Sequence, residues 1–143
     1  MFKFFKKKSL DNKELDNMTI LSKTASLFIH AAKIDESYTQ KEKEIIKKAL
    51  IELGANEAGI EKLMLNAEIN EKNSIQILDF TKEIKNVDEN FKIKIIETLW
   101  GIIYSNKEAD MYEASLMRRL SGLLYLDNKI VGDIKEKMRK KFI

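Results

Sequence analysis

The chain of 143 residues contains no cysteine and no proline, and it has only five glycines and a single histidine. Without cysteine it can form no disulfide, no thiolate metal site and no cysteine nucleophile. No apolar run comes near the roughly 20 residues that a membrane-spanning helix needs, and no glycine-rich phosphate loop is present. The opening residues lack the apolar stretch of a secretory signal. These absences predict a soluble protein, with the cytoplasm as its expected location.

The sequence is a mixture of apolar and charged residues, 44% hydrophobic and 34% charged. At this length, one hydrophobic core can bury enough surface to hold a single domain without disulfides. The formal net charge of +3 is unevenly spread, because residues 1–8 and residues 135–141 contribute +4 each, which leaves −5 for residues 9–134. We therefore expect an acidic body with two basic ends.

Apolar residues recur at intervals of three and four along nearly the whole chain, and no sustained strand alternation occurs. This pattern predicts an all-α fold of about seven helices in a single domain. The predicted helices are residues 18–34, 40–53, a third after a cap at Asn56, 74–85, 88–105, 111–124 and a seventh from Asn128 after a cap at Asp127. The first and fifth, which hold Phe28 and Trp100, are apolar on most sides and should be the central helices.

The second half of the chain repeats the first at an offset of 71 residues. The matched pairs are Asp35/Asn106, Thr39/Asp110, Glu42/Glu113, Ile45/Leu116, Ile46/Met117, Leu53/Leu124 and Asn56/Asp127. Two copies of one helical unit, at about residues 18–70 and 88–140, explain these matches. We therefore predict a pseudo-symmetric bundle formed by residues 11–143, preceded by a basic and aromatic segment at residues 1–10.

Two of the matched stretches have the spacing of a helix capping box. Thr39 precedes Glu42 by three residues, and Asp110 precedes Glu113 by three. In such a box the first side chain accepts a hydrogen bond from a backbone N–H of the helix, and the glutamate accepts one from the N–H of the cap residue. Each box would start a helix and contribute about 1 kcal/mol of stability. This capping role explains Glu42, Asp110 and Glu113 without any ligand.

Two stretches resemble the signatures of the TerB family, the tellurite-resistance protein B-like proteins, which are related in fold to the N-terminal domain of the co-chaperone DjlA. Residues 102–124, IIYSNKEADMYEASLMRRLSGLL, are similar to the second signature through Tyr112, Glu113 and the arginine-containing helix that ends in two leucines. Residues 30–42, HAAKIDESYTQKE, are similar to the first signature through Asp35 and Glu42. The resemblance covers about residues 18–140. It implies an all-helical bacterial domain, linked in some members to stress or tellurite resistance.

The resemblance also implies a divalent-cation site on an acidic face. The donors that match in this chain are Asp35, Glu42, Asn106 and Glu113. Where the family has an aspartate and a glycine in each turn, this chain has Asp35 with Glu36 and Asn106 with Lys107. Since Ca²⁺ takes about six to eight oxygen ligands and its affinity depends on their charge, we expect any ion to bind weakly.

The opening MFKFFKKK combines aromatic and basic side chains, which gives it two interpretations. One is a reversible contact with an anionic membrane, at the inner surface of the cell membrane, made by Phe2, Phe4, Phe5, Lys6, Lys7 and Lys8. The other is a frayed basic start of the chain. Nucleic acid is not expected as a partner despite Arg118 and Arg119, because the body is acidic and no reading helix is recognisable.

The sequence offers no catalytic constellation. His30 lies on an apolar helix without a nucleophile motif beside it, and it is interpreted as a packing residue in the core or at its boundary. We therefore expect no enzyme activity and no cofactor beyond a weak divalent cation. The predicted function is a non-enzymatic binding or adaptor module, which presents a surface between the two repeats to an unidentified protein. The alternative is a weak metal sensor or buffer that uses the acidic turns.

Overall fold

The computed structural model describes the backbone of residues 2–33, 38–74, 77–105 and 111–142, and the side chains in these ranges except at 2–16, 78, 111–114 and 142. This part of the chain forms seven α-helices and no strand, so the predicted all-α class is confirmed. The helices are α1 (Phe2–Lys33), α2 (Gln40–Glu52), α3 (Ile60–Asn73), α4 (Leu78–Thr81), α5 (Glu89–Tyr104), α6 (Met111–Leu123) and α7 (Asn128–Phe142). Two 3₁₀ turns, Glu57–Gly59 and Ile84–Asn86, connect them.

Three predicted helices differ from the structure. The third begins at Ile60, because Asn56 caps the 3₁₀ turn Glu57–Gly59 instead of the helix itself. The first helix begins at Phe2 instead of residue 18, because the polar stretch that was expected to precede it contains lysine, glutamate and leucine, which are good helix formers, and no breaker. The predicted helix over residues 74–85 is wrong in length, since α4 has four residues and the 3₁₀ turn Ile84–Asn86 follows it. Ile77, Phe80 and Ile84 are buried at the expected spacing, but a turn at residues 82 and 83 interrupts the helix between them, since helix propensity is only a weak guide to local structure.

The core is built around α1 and α5, which pack against each other. Six consecutive residues of α1, Thr24 to Ile29, are buried, and so are eight consecutive residues from Thr98 to Ser105 at the end of α5. A helix that is buried on all sides must be covered by several neighbours. Accordingly α1 packs on α3, α4 and α2, and α5 packs on α7, α2 and α6. The prediction that these two helices, with Phe28 and Trp100, are central is confirmed.

The two halves of the chain share one helix contact and one turn. The first helix of each unit makes its most extensive contact with the third, which is α1 with α3 and α5 with α7. The loop before each third helix starts with the same turn, in which Asn56 Oδ1 accepts from Ala58 N–H and Asp127 Oδ1 accepts from Lys129 N–H, both at 3.0 Å. These pairs lie 71 residues apart, which favours the interpretation as a duplicated unit.

Both second helices also end in the same hydrogen-bonded turn. The N–H of Ala55 donates to the carbonyl of Leu50 at 2.9 Å, and the N–H of Leu126 donates to that of Ser121 at 3.0 Å. Such a bond over five residues is typical of a helix end with one residue at positive φ. That residue is Gly54 in the first unit, with φ 117°, and Tyr125 in the second, with φ 57°.

Replacing Gly54 with alanine should lower the free energy of unfolding by about 1 kcal/mol, because a side chain strains the backbone at this φ. The added Cβ meets no atom within 4 Å, so the loss would come from the backbone alone. Gly132→Ala is the matched control, since its Cβ also meets open space and it lies inside α7, where alanine is the better helix former. Urea unfolding followed by Trp100 fluorescence should show opposite signs for the two variants, and an equal loss would contradict this account.

Candidate functional site

The start of α2 contains the first of the two predicted capping boxes. Thr39 is the N-cap residue with an extended backbone, and Glu42 lies in the first helical turn with only 1% of its surface exposed. The Glu42 Oε2 atom accepts from the Thr39 N–H at 3.0 Å and also from the Thr39 hydroxyl. The buried Glu42 carboxylate is therefore hydrogen-bonded to Thr39, the N-cap residue directly before α2.

The same turn of α2 is tied to the end of α5. The Ser105 hydroxyl lies 3.5 Å from Glu42 Oε1 and donates to the Ile102 carbonyl at 2.6 Å. The Lys41 ammonium donates to the Ser105 carbonyl at 3.0 Å. We call Lys41, Glu42 and Ser105 the α2–α5 clasp, because they hold a helix of the first unit against a helix of the second.

The structure places only one of the four predicted metal donors. Asp35, Asn106 and the second cap residue, Asp110, lie outside the described residues, and of Glu113 only the backbone in α6 is described. The described residues include no group of three or more histidine, aspartate or glutamate side chains that could hold an ion. Glu42 already accepts hydrogen bonds, and an ammonium occupies the neighbouring Ser105 carbonyl. Since a hard cation takes about six to eight oxygens, these residues alone do not fit one.

The predicted membrane-contact residues, Phe2, Phe4, Phe5, Lys6, Lys7 and Lys8, belong to the first turns of α1, and their side chains lie outside the described part. The basic and aromatic segment is thus helical and continuous with the central helix. Among the helices that the structure describes, none is both long enough and apolar enough to cross a membrane.

His30 lies at the boundary of the core. Its Nδ1 atom is 3.3 Å from Glu71 Oε2, and the Lys33 ammonium donates to the other oxygen of Glu71 at 2.8 Å. The imidazole ring also packs on Phe80, with 6.0 Å between the ring centroids. These contacts join α1 to α3 and to α4, which is the structural role expected of a boundary histidine.

A second polar cluster lies where the chain enters α2. The Tyr38 hydroxyl donates to Glu68 Oε2 at 2.6 Å, and the Lys43 ammonium lies 3.6 Å from the same oxygen and 5.0 Å from the Tyr38 ring centre. Burial, reinforced by the hydrogen bond to Glu68, raises the pKa of Tyr38 far above its usual value. The tyrosine therefore stays neutral and binds α3 to the start of α2.

A groove of about 400 Å³ lies between α2, α5 and α7. Its first wall is formed by α2, through Ile45, Lys48, Ala49 and Glu52. Its second wall is formed by α5, through Lys94, Glu97, Thr98 and Gly101. The third side is formed by α7, through Lys137, Met138 and Lys141. The groove thus combines one helix of the first unit with two helices of the second.

The groove has an excess of positive charge. Lys94 forms an ion pair with Glu52, and Lys137 forms one with Glu97 at 2.6 Å. Lys48 and Lys141 form no ion pair with another described residue. The hydrogen bond from Lys94, assisted by the charges of Lys48 and Lys141, holds the pKa of the Glu52 carboxyl below its usual range. The Glu52 carboxylate is therefore stabilised by the ammonium groups of Lys94, Lys48 and Lys141.

Sequence reasoning did not find this groove. Its residues come from three helices that are far apart in the chain, and on each helix they follow the same spacing as core-facing residues. The sequence feature that could have indicated a groove is the presence of two small residues, Ala49 and Gly101, among the larger apolar residues of their helices. That signal does not reveal which small residue borders a groove and which one lies under a neighbouring helix.

These features define an all-helical domain with one core and a basic groove between α2, α5 and α7. The family model described as tellurite resistance protein TerB matches residues 21–136, which is the bulk of the chain. The chain therefore belongs to the TerB family, and the resemblance identified from its signatures is confirmed. Comparison with curated proteins and with solved structures gives no match.

Proposed function

We propose that this TerB-family chain is a non-enzymatic binding or adaptor module, and that the groove between α2, α5 and α7 is the surface to which a protein partner binds. The observation that supports this proposal is that both helical units line the groove, with Ile45 and Met138 beside Lys48 and Lys141, which form no ion pair with another described residue. Six of the eleven lining residues are charged, and a concave surface on which polar groups converge is a usual form of a recognition site.

The walls of the groove are suited to binding without large rearrangement. They are formed by helices of the packed core and not by loops, and the α2–α5 clasp lies one helical turn from Ile45 and from Gly101. A site on rigid elements loses less conformational entropy when it binds. The groove can therefore act as a preformed docking surface.

The proposal is tested by capture of partners from native lysate with the full chain and two variants. Ala49→Leu enlarges a floor residue that is only 5% exposed, so circular dichroism must first show that this variant is folded, whereas Ala58→Leu adds the same atoms at an exposed position in the 3₁₀ turn Glu57–Gly59. The same protein should be retained by the wild type and by Ala58→Leu and lost from Ala49→Leu. Repeated failure to capture any partner, or equal capture by both variants, would count against the adaptor function.

The family description names tellurite resistance, and we extend the proposal to that response or to a related stress response. The chain has no cysteine, so it offers no thiol that could reduce an oxyanion. Its contribution would therefore be made through the bound partner and not through redox chemistry of its own.

A second proposal concerns a reversible contact between residues 1–8 and an anionic membrane. It is favoured by the start of α1 at Phe2, which places three phenylalanines and four lysines on consecutive helical turns. Each lysine near an anionic leaflet contributes about 1 kcal/mol, so that the contact should be weak and sensitive to salt. The full chain should pellet with anionic vesicles and not with neutral ones, and removal of residues 1–8 should abolish pelleting. Equal pelleting with and without these residues would exclude the contact.

A further inference from the structure

The groove has the dimensions of a site for a helix. The lining positions on α2 run from Ile45 to Glu52, and those on α5 run from Lys94 to Gly101, so that each wall follows the spacing i, i+3, i+4, i+7. Seven residues of helix rise span roughly 10 Å, or two turns. A groove that follows two parallel ridges over this length can accept the apolar stripe of a third helix.

The floor and the rim of the groove differ in chemistry. The floor includes two small residues, Ala49 and Gly101, and Met138, all of which are largely covered by the surrounding helices, with 5% of Ala49 and 7% of Met138 exposed. The small residues allow a third helix to approach closely, since the distance between packed helices depends on the side chains at the contact. The rim carries Lys48 and Lys141, both exposed and without an ionic partner in the described part of the chain.

We propose that the groove binds an acidic amphipathic helix of another protein, with its apolar residues on the floor and its carboxylates against Lys48 and Lys141. This inference rests on the proposed function and adds the chemistry of the partner to it. The carboxylate of Glu52, which is already surrounded by Lys48, Lys94 and Lys141, is an internal example of the group that would be recognised.

The charges of the chain argue against an occupant from its own two ends. Residues 135–141 belong to α7, which itself lines the groove, and residues 1–8 carry four lysines. A basic segment would meet unpaired lysines at the rim and would be repelled. A polyphosphate backbone is disfavoured for another reason, because Glu52 and Glu97 place two carboxylates inside the groove. Separate carboxylates on one face of a helix can avoid both of these acids and still reach the two rim lysines.

The test uses synthetic peptides of about 14 residues, or four helical turns, and the full chain. The probe has leucines at the i, i+3, i+4 and i+7 positions and glutamates beside them. One control peptide has lysine in place of each glutamate, and another has the same composition in scrambled order. Calorimetry should give binding of the acidic amphipathic peptide only, with an affinity that falls as salt increases.

Protein variants locate the site of binding. Lys48→Glu combined with Lys141→Glu should weaken the acidic peptide about tenfold or more, because repulsion replaces attraction at the rim. The matched control is Lys62→Glu with Lys72→Glu, which makes the same change in net charge at two exposed positions of α3 outside the groove. The control should bind within about twofold of the wild type, since distant exposed charges are screened. Circular dichroism and Trp100 fluorescence establish that both double variants are folded.

The outcomes separate the partner chemistry from the proposed function. Binding that is lost only in the groove variant supports the inference. Equal binding of the basic or scrambled peptide, or equal loss in both double variants, would overturn it. Failure of every peptide to bind would also overturn the inference. If the partner captured from lysate is nevertheless lost from Ala49→Leu, the adaptor function survives with a partner of different chemistry. Self-association of the chain that is abolished by the groove variant would assign the groove to a second copy and overturn the inference.

Discussion

Replacing Phe28 with alanine is expected to lower the free energy of unfolding by about 3–5 kcal/mol. Phe28 has no exposed surface and lies on α1 in the middle of the six consecutive buried residues. Its removal would leave a cavity in the core that both helical units share, and the surrounding helices can relax only in part. A loss of this size is a large fraction of the stability of a typical domain.

The effect of Phe28→Ala can be measured by urea unfolding, with Trp100 fluorescence as a probe on α5 and circular dichroism as a probe of all helices. Phe91→Ala is the matched control, because Phe91 lies on α5 but is only partly buried. Its loss should be clearly smaller, and the two probes should report a single transition for each variant. A loss for Phe28→Ala no larger than that of the control would contradict the central position of α1.

Replacing Glu42 with alanine is expected to cost about 1–3 kcal/mol, because the Thr39 N–H and hydroxyl lose a buried acceptor. The expected loss exceeds that of an exposed cap, since Glu42 is only 1% exposed. The variant keeps the bond from Lys41 to the Ser105 carbonyl but loses the Glu42 part of the α2–α5 clasp. One end of the groove should therefore be looser, and the acidic peptide should bind more weakly to this variant.

Glu44→Ala is the control for the clasp. Glu44 lies on the same helix, and its side chain is 62% exposed, where it contacts Gln40 and Lys47. Surface contacts of this kind contribute little to stability. Urea unfolding should therefore separate the two variants. Equal stability of Glu42→Ala and Glu44→Ala would show that the buried carboxylate does not join the two units.

The sequence predicted best those features that depend on local chemistry. The start of α5 follows from Asp88, whose side chain accepts from the Phe91 N–H at 2.8 Å, and the turns before α3 and α7 follow from Asn56 and Asp127. A capping side chain and the backbone N–H that donates to it lie within a few residues of each other, so their spacing is visible in the sequence. The family assignment depended on such local signatures too.

Features that depend on long-range packing were less accessible. The segment from Ile77 to Ile84 has a helical pattern and its apolar side chains are buried in the core. The backbone nevertheless forms a four-residue helix and a 3₁₀ turn there instead of one continuous helix. To predict the groove, one must know where Ala49 and Gly101 lie relative to Met138. These positions are set by the packing of α2, α5 and α7. The first turn of α2 was expected from its spacing, whereas the contact between Glu42 and Ser105 joins residues that are 63 positions apart.

The central claim is that the groove between the two units is the surface at which this TerB-family protein binds its partner. The most direct measurement is a titration of the full chain with the acidic amphipathic peptide, followed through the backbone amide signals in nuclear magnetic resonance spectra. The account predicts that the largest shifts fall on residues 45–52, 94–101 and 137–141. Shifts that are spread evenly over the surface, or that are confined to α3 and α6 while these three segments stay unchanged, would contradict it.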